Sequence, residues 1–229
     1  MSTSIIPQLI RKDFLMMRKM ILIFCLMTLA SIVVVGMLFG RVPNVVFFNL
    51  GITLLIAPVV TCGIVLLMKT IVMEKQKSTQ LFIMSLPVTV KEFTLSKLLL
   101  NLTVFTVFWL VICAVAFYFS FWLGVFPYGT VPFVTMIFLG IFVAYVGVLS
   151  VALIYQSYGV TIITMLFLEL GTPAYLWIIA FMEPITSHVY GSEMVWNTTA
   201  MTIVTSQVVV AIFIIWMTLH IQNKKKDFI

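Results

Sequence analysis

Six apolar runs, at 20–40, 45–68, 98–121, 131–154, 160–182 and 200–219, set the terms on which this chain can fold. Each is long enough, at about 1.5 Å of rise per residue, to cross roughly 30 Å of hydrocarbon as a helix. All but one of the thirteen Lys and Arg residues lie on one side of that six-span pattern. Arg11, Lys12, Arg18 and Lys19 precede span 1, and Lys69, Lys75, Lys77, Lys91 and Lys97 fall between spans 2 and 3. Lys224, Lys225 and Lys226 follow span 6, and only Arg41 lies opposite. Basic connections stay cytoplasmic, so both termini and the 69–97 segment are expected there, in a multi-pass protein of the cell's inner or plasma membrane.

With 63% apolar and 9% charged residues, the expectation is an all-α integral membrane protein with one transmembrane domain over 1–229. The net charge of +6 does not imply nucleic acid. Its cations are juxtamembrane anchors that meet membrane lipid, and no folded module carries a basic face. The basic start imitates a signal peptide, but its apolar run is too long for an h-region, so span 1 is expected to be retained. Cys25, Cys62 and Cys113 each sit within a span and read as small buried hydrophobes, with neither disulfide nor metal implied.

Residues 1–19 read as an amphipathic helix on the membrane surface, with Ile6, Ile10, Phe14 and Met17 on its apolar face and Asp13 at the edge. Trp122, Phe126 and Tyr128 suit an outer interface. The 183–199 connection is the longest outer one. Gly171 and Pro173 are expected to weaken span 5 before it, so that short helices dip back into the outer leaflet. Asn197-Thr198-Thr199 is a weak glycosylation triplet. Gly36-xxx-Gly40 and Gly140-xxx-Ala144 permit close helix approach, within the chain or between two copies.

The 69–97 segment holds the most legible local chemistry. Thr89-Val90-Lys91-Glu92 has capping-box form, Val88 and Phe93 supply a hydrophobic staple, and Pro87 ends whatever precedes it. Span 3 should therefore begin near Val90, two turns ahead of its apolar run. Upstream, 70–86 is expected to continue span 2 as a helix and then turn along the surface. A rigid, charged elbow under the bilayer suits force transmission from a soluble partner.

Glu74-Lys75, Ser85-Leu86-Pro87-Val88, Lys91-Glu92 and Leu95-Ser96-Lys97 together resemble the cytoplasmic loop of ABC-2-type transporter permeases. Leu9-Ile10-Arg11-Lys12-Asp13-Phe14-Leu15 resembles the opening of the same family. Thr89-Val90 departs from it, since relatives often carry a basic residue beside the turn. The resemblance implies an exporter half: a six-span permease, paired with an identical or different second permease, each resting on a separate ABC ATPase chain. It implies that residues 1–19 form a connecting helix and that 74–88 is a coupling helix. The coupling contact would fall on Glu74, Lys75, Lys77, Leu81, Phe82, Leu86, Pro87, Val88, Lys91 and Glu92. The cargo would be a peptide, a drug or a lipid-like amphiphile.

No glycine is followed by lysine, so the phosphate-cradling GxxxxGK[ST] loop is missing, and ATP and Mg are expected on the partner chain. HExxH and GxSxG are missing too, so no enzyme activity is expected of this chain. Glu169, the one acid within a span, joins Asn49 and Asn101 as a possible substrate path, because polar groups at membrane depth usually face a cavity or a partner. The alternative is a non-transporting binding, immunity or sensor subunit, which would use 183–199 and not the coupling segment.

Overall fold

The computed structural model describes residues 5–76, 89–124, 127–189 and 191–224, with side chains throughout except at positions 44, 45, 48, 49, 76, 120 and 169. All its regular elements are helical. They are α1 (Ile5–Leu38), α2 (Asn44–Leu67), α3 (Val90–Phe121), α4 (Thr130–Tyr155), α5 (Tyr158–Phe181), α6 (Glu183–Val189) and α7 (Thr198–Lys224). A π-helical turn, Met68–Val72, and a last α turn, Met73–Gln76, extend α2. Among the described residues six helices are long and apolar enough to cross a membrane. The protein is a multi-pass membrane protein.

Helices α3 and α4 form the centre. Helix α3 packs on α1, α2, α4 and α7, and α4 packs on α3, α5 and α7 and touches α2. Helices α1, α5 and α7 expose most of their surface. Because lipid tails are as apolar as leucine, burial alone does not drive spans together; close packing and interhelical hydrogen bonds do. Gly63 shows how. A Cβ there would lie 2.6 Å from the Tyr145 ring and 2.7 Å from the Phe105 ring. Its missing side chain admits a stacked Phe105–Tyr145 pair with centroids 3.6 Å apart. Gly140 does the same for Tyr175, whose ring would lie 2.8 Å from a Cβ, and Gln207 Nε2 then donates to the Met136 carbonyl at 2.9 Å. Gly36 has open space where its Cβ would be, so Gly36-xxx-Gly40 makes no close approach among the described residues. Trp109 Nε1 donates to the Phe138 carbonyl at 3.1 Å, and Gln222 Nε2 to the Leu153 carbonyl at 2.6 Å.

Several expectations are corrected. Helix α1 is one uninterrupted helix of 34 residues, about 51 Å long, so residues 5–19 are no separate surface helix. Pro7, the third described residue, does not break it. The packed stripe is Leu9, Asp13, Met17, Phe24, Thr28 and Val35, whereas Phe14 is 46% exposed. Helix α5 continues through Pro173; within spans proline is tolerated where neighbouring groups or local helix adjustments satisfy the carbonyl it frees. Cys25 is exposed, while Cys62 and Cys113 are buried as expected. After α5 comes one short helix, α6, whose Ile185 packs with Met136, Ile179 and Ala200. Asn197 caps α7, its Oδ1 accepting from the Ala200 amide at 2.8 Å, a structural role for the first residue of the glycosylation triplet.

Candidate functional site

The described ends of the 69–97 segment are each fixed by local chemistry. At the start of α3 the capping box is complete. The Glu92 amide donates to Thr89 Oγ1 at 3.2 Å, and the Thr89 amide donates to Glu92 Oε2 at 2.9 Å. Helix α3 thus begins at Val90, about 12 Å before the apolar run at Leu98, as the sequence predicts. Phe93 is buried against Leu9 of α1, with Ile5 beside them. The expected staple partner, Val88, lies outside the described residues.

At the other end, the π-turn decides where Glu74 points. Leu55, Val59, Cys62 and Leu66 lie buried along α2. At about 100° per residue they span a stripe some 60° wide. A continuous α-helix would put Glu74 about 100° from Leu55, on the side of Gly63 and Leu67 and out of line with that stripe. A π-turn carries one extra residue and removes that rotation, so Glu74 falls in line with Leu55 and Leu66. It is 6% exposed.

There it meets two other helices. Lys97 of α3 donates to Asp13 Oδ2 of α1 at 2.7 Å and forms a close ion pair with Glu74 Oε2. Lys12 Nζ lies 2.9 Å from Glu74 Oε1 and 3.2 Å from Asp13 Oδ1. Asp13 is 0% and Lys97 1% exposed, while the Lys12 side chain reaches solvent. Two carboxylates face two ammonium groups, so the cluster is formally neutral. Burying ions costs several kcal/mol each, offset only by close pairing, and removing one partner of a buried pair costs about 3–5 kcal/mol.

The polar column continues inward. Asn101 Nδ2 donates to the Lys97 carbonyl at 2.8 Å and to Thr70 Oγ1 at 3.0 Å. Thr70 Oγ1 donates to the Leu66 carbonyl at 2.8 Å, and Tyr145 OH to the Asn101 carbonyl at 3.2 Å. Four helices therefore converge on one layer. Asp13 lies 25 residues from the end of α1, and Lys97 lies 24 from the end of α3, about 36 Å along either helix. That exceeds the ~30 Å hydrocarbon core and sets the layer at the edge of the bilayer.

Of the residues expected to make the coupling contact, Glu74 is turned inward and held by its two lysine partners. Lys75 and Lys91 are exposed, and Glu92 is engaged by Thr89. Lys77, Leu81, Phe82, Leu86, Pro87 and Val88 lie outside the described residues. Asn101, expected on a substrate path, is fully buried, and its amide donates to the Lys97 carbonyl and to Thr70. Asn49 and Glu169 stand on α2 and α5, with side chains outside the description. A cleft of about 710 Å³ between α2, α4 and α5 is lined mainly by apolar side chains such as Ile56, Val60, Ile141 and Leu168. Asn101 does not reach it.

Asp13 and Lys97 as ion partners escaped the sequence reading. The available signal was a carboxylate four residues from both Leu9 and Met17, in a stripe that continues to Phe24, Thr28 and Val35. Among the described residues no group of three or more His, Cys, Asp or Glu side chains is placed to hold a metal ion.

Compared with models of known protein families, residues 8–225 match the one described as ABC-2 family transporter protein. No curated protein and no solved structure matches the chain.

Proposed function

Because the chain belongs to the ABC-2 family of transporter proteins and is a transporter permease, we propose that it is the membrane half of an ATP-driven exporter whose ATP hydrolysis comes from a separate ATPase chain. ATP and Mg belong to that partner, and the coupling runs through residues 74–92. The observation that carries this reading is the anchoring of both described ends of the segment. Glu74 is pinned by Lys97 and Lys12, and α3 starts on a complete capping box about two turns before its apolar run. A soluble subunit gripping residues 77–88 then works on α2 and α3 as stiff levers. Lys75 and Lys91, exposed on either side, flank that grip.

Both termini are cytoplasmic in this reading, in the cell's inner or plasma membrane, and a second permease completes the transporter. The apolar lining of the cleft suits a peptide, drug or lipid-like amphiphile with a large apolar surface. Purification in mild detergent tests the partner: a nucleotide-hydrolysing subunit is expected with the chain, and its lasting absence refutes the proposal. A membrane-impermeant thiol reagent tests the topology. In a background lacking the three native cysteines, Met194→Cys is expected to label from outside in intact cells and Lys91→Cys only after permeabilisation.

A further inference from the structure

We infer that Asp13 is a positioning residue that makes α1 a third lever of the coupling segment, an inference that rests on the ATP-driven permease reading. The N-terminal part of α1 is held by three buried side chains, Leu9, Asp13 and Met17, and only Asp13 among them bears charge. Its Oδ2 takes a proton donor of Lys97, which also holds Glu74. One ammonium group therefore joins α1, the extension of α2 and the start of α3. Lys12 closes the same four-charge group from the exposed side, on Glu74 Oε1 and Asp13 Oδ1.

The chemistry of this junction makes it rigid. A buried ammonium has no water to replace a lost carboxylate, so the pairs either persist while the helices move together or open as a unit. Leu9 against Phe93 keeps the helices adjacent but sets no such alternative, since apolar contacts slide at small cost. The π-turn delivers Glu74 to this point, so displacement of the chain beyond Gln76 reaches α1 by two routes, the buried one through Lys97 to Asp13 and the solvent-facing one through Lys12. Asp13 touches no substrate. Its work is to carry the motion of the 69–97 segment into α1, which continues for 25 residues to Leu38.

The test uses the full chain assembled with its ATPase and second permease in liposomes. A fluorescent label at Met37→Cys, near the outer end of α1 on an exposed site, reports motion on ATP addition. In the chain lacking its three native cysteines and otherwise unchanged the label is expected to respond, and a mute label in a transporting complex overturns the inference. Asp13→Asn is expected to keep assembly and ATP hydrolysis while losing the label response, with transport per ATP falling about tenfold. Asp13→Glu is expected to restore both. Should Asp13→Asn not assemble, Asp13→Leu combined with Lys97→Met replaces the buried pair by apolar side chains and is expected to be uncoupled in the same way. Native coupling in either assembled variant overturns the inference, as does an equal loss in Leu9→Ala, which would reduce Asp13 to packing. Failure of the native chain to bind any ATPase sinks the permease reading itself, a different result.

Discussion

Asp13 and Lys97, 84 positions apart in the chain, meet at 2.7 Å with neither side chain open to solvent. No periodicity in either segment announces the other. The pair joins the first helix to the third at the end of the bundle that carries most of the basic residues.

Lys97→Met is expected to destabilise the protein by about 3–5 kcal/mol, because Asp13 and Glu74 are left buried with Lys12 alone. Thermal unfolding in detergent measures it. Adding Asp13→Leu to that variant is expected to recover part of the loss, since one unpaired carboxylate goes. Additive losses would show that the two residues do not interact.

The π-turn gives an asymmetric prediction. Deleting Met68 leaves Glu74 seven residues after Leu66, in phase with the buried stripe of a plain α-helix, so the ion pairs are expected to survive. Inserting one alanine between Val72 and Met73 rotates Glu74 by about 100° and is expected to lower stability as Lys97→Met does. Equal effects of the two changes would refute the phase argument.

Thr89→Ala removes the side-chain half of the capping box and is expected to cost about 1 kcal/mol of helix stability at the start of α3. Amide exchange read by mass spectrometry should show fraying over residues 90–93, with the apolar run from Leu98 unchanged. Thr89→Ser is expected to behave as the native residue.

Gly63→Ala forces a Cβ into the Tyr145 and Phe105 rings, and neither stacked ring can retreat freely. A loss of about 1–3 kcal/mol is expected. Gly36→Ala meets nothing within 4 Å and is expected to leave the melting temperature unchanged or slightly raised, because alanine favours helix.

These expectations show what was legible in the chain and what was not. The six spans follow from run length alone, and the start of α3 follows from Thr89 and Glu92, because capping depends on residues three apart. The packed face of α1 did not follow. Apolar residues are favourable toward lipid as well as toward protein, so Ile6, Ile10 and Phe14 form a face without being the buried one. In such a helix the charged residue within a stripe marks the protein side, and Asp13 was that mark. Glu74 was legible as important but not as inward-facing, since a π-turn leaves no composition signature in Met68–Val72. Asn101 was legible as polar at depth, but not the tie it makes from α3 to Thr70.

The separation of Asp13 from Lys97 also orders the birth of the protein. The first helix leaves the ribosome with only Lys12 beside its carboxylate, and Glu74 arrives before Lys97, the second ammonium group of the cluster. At about 5–20 residues per second, synthesis needs roughly 4–17 s to deliver Lys97. Until then α1 is tied to the rest of the chain only by Lys12 on Glu74, so its final seating is a post-insertion event timed by the emergence of the third span.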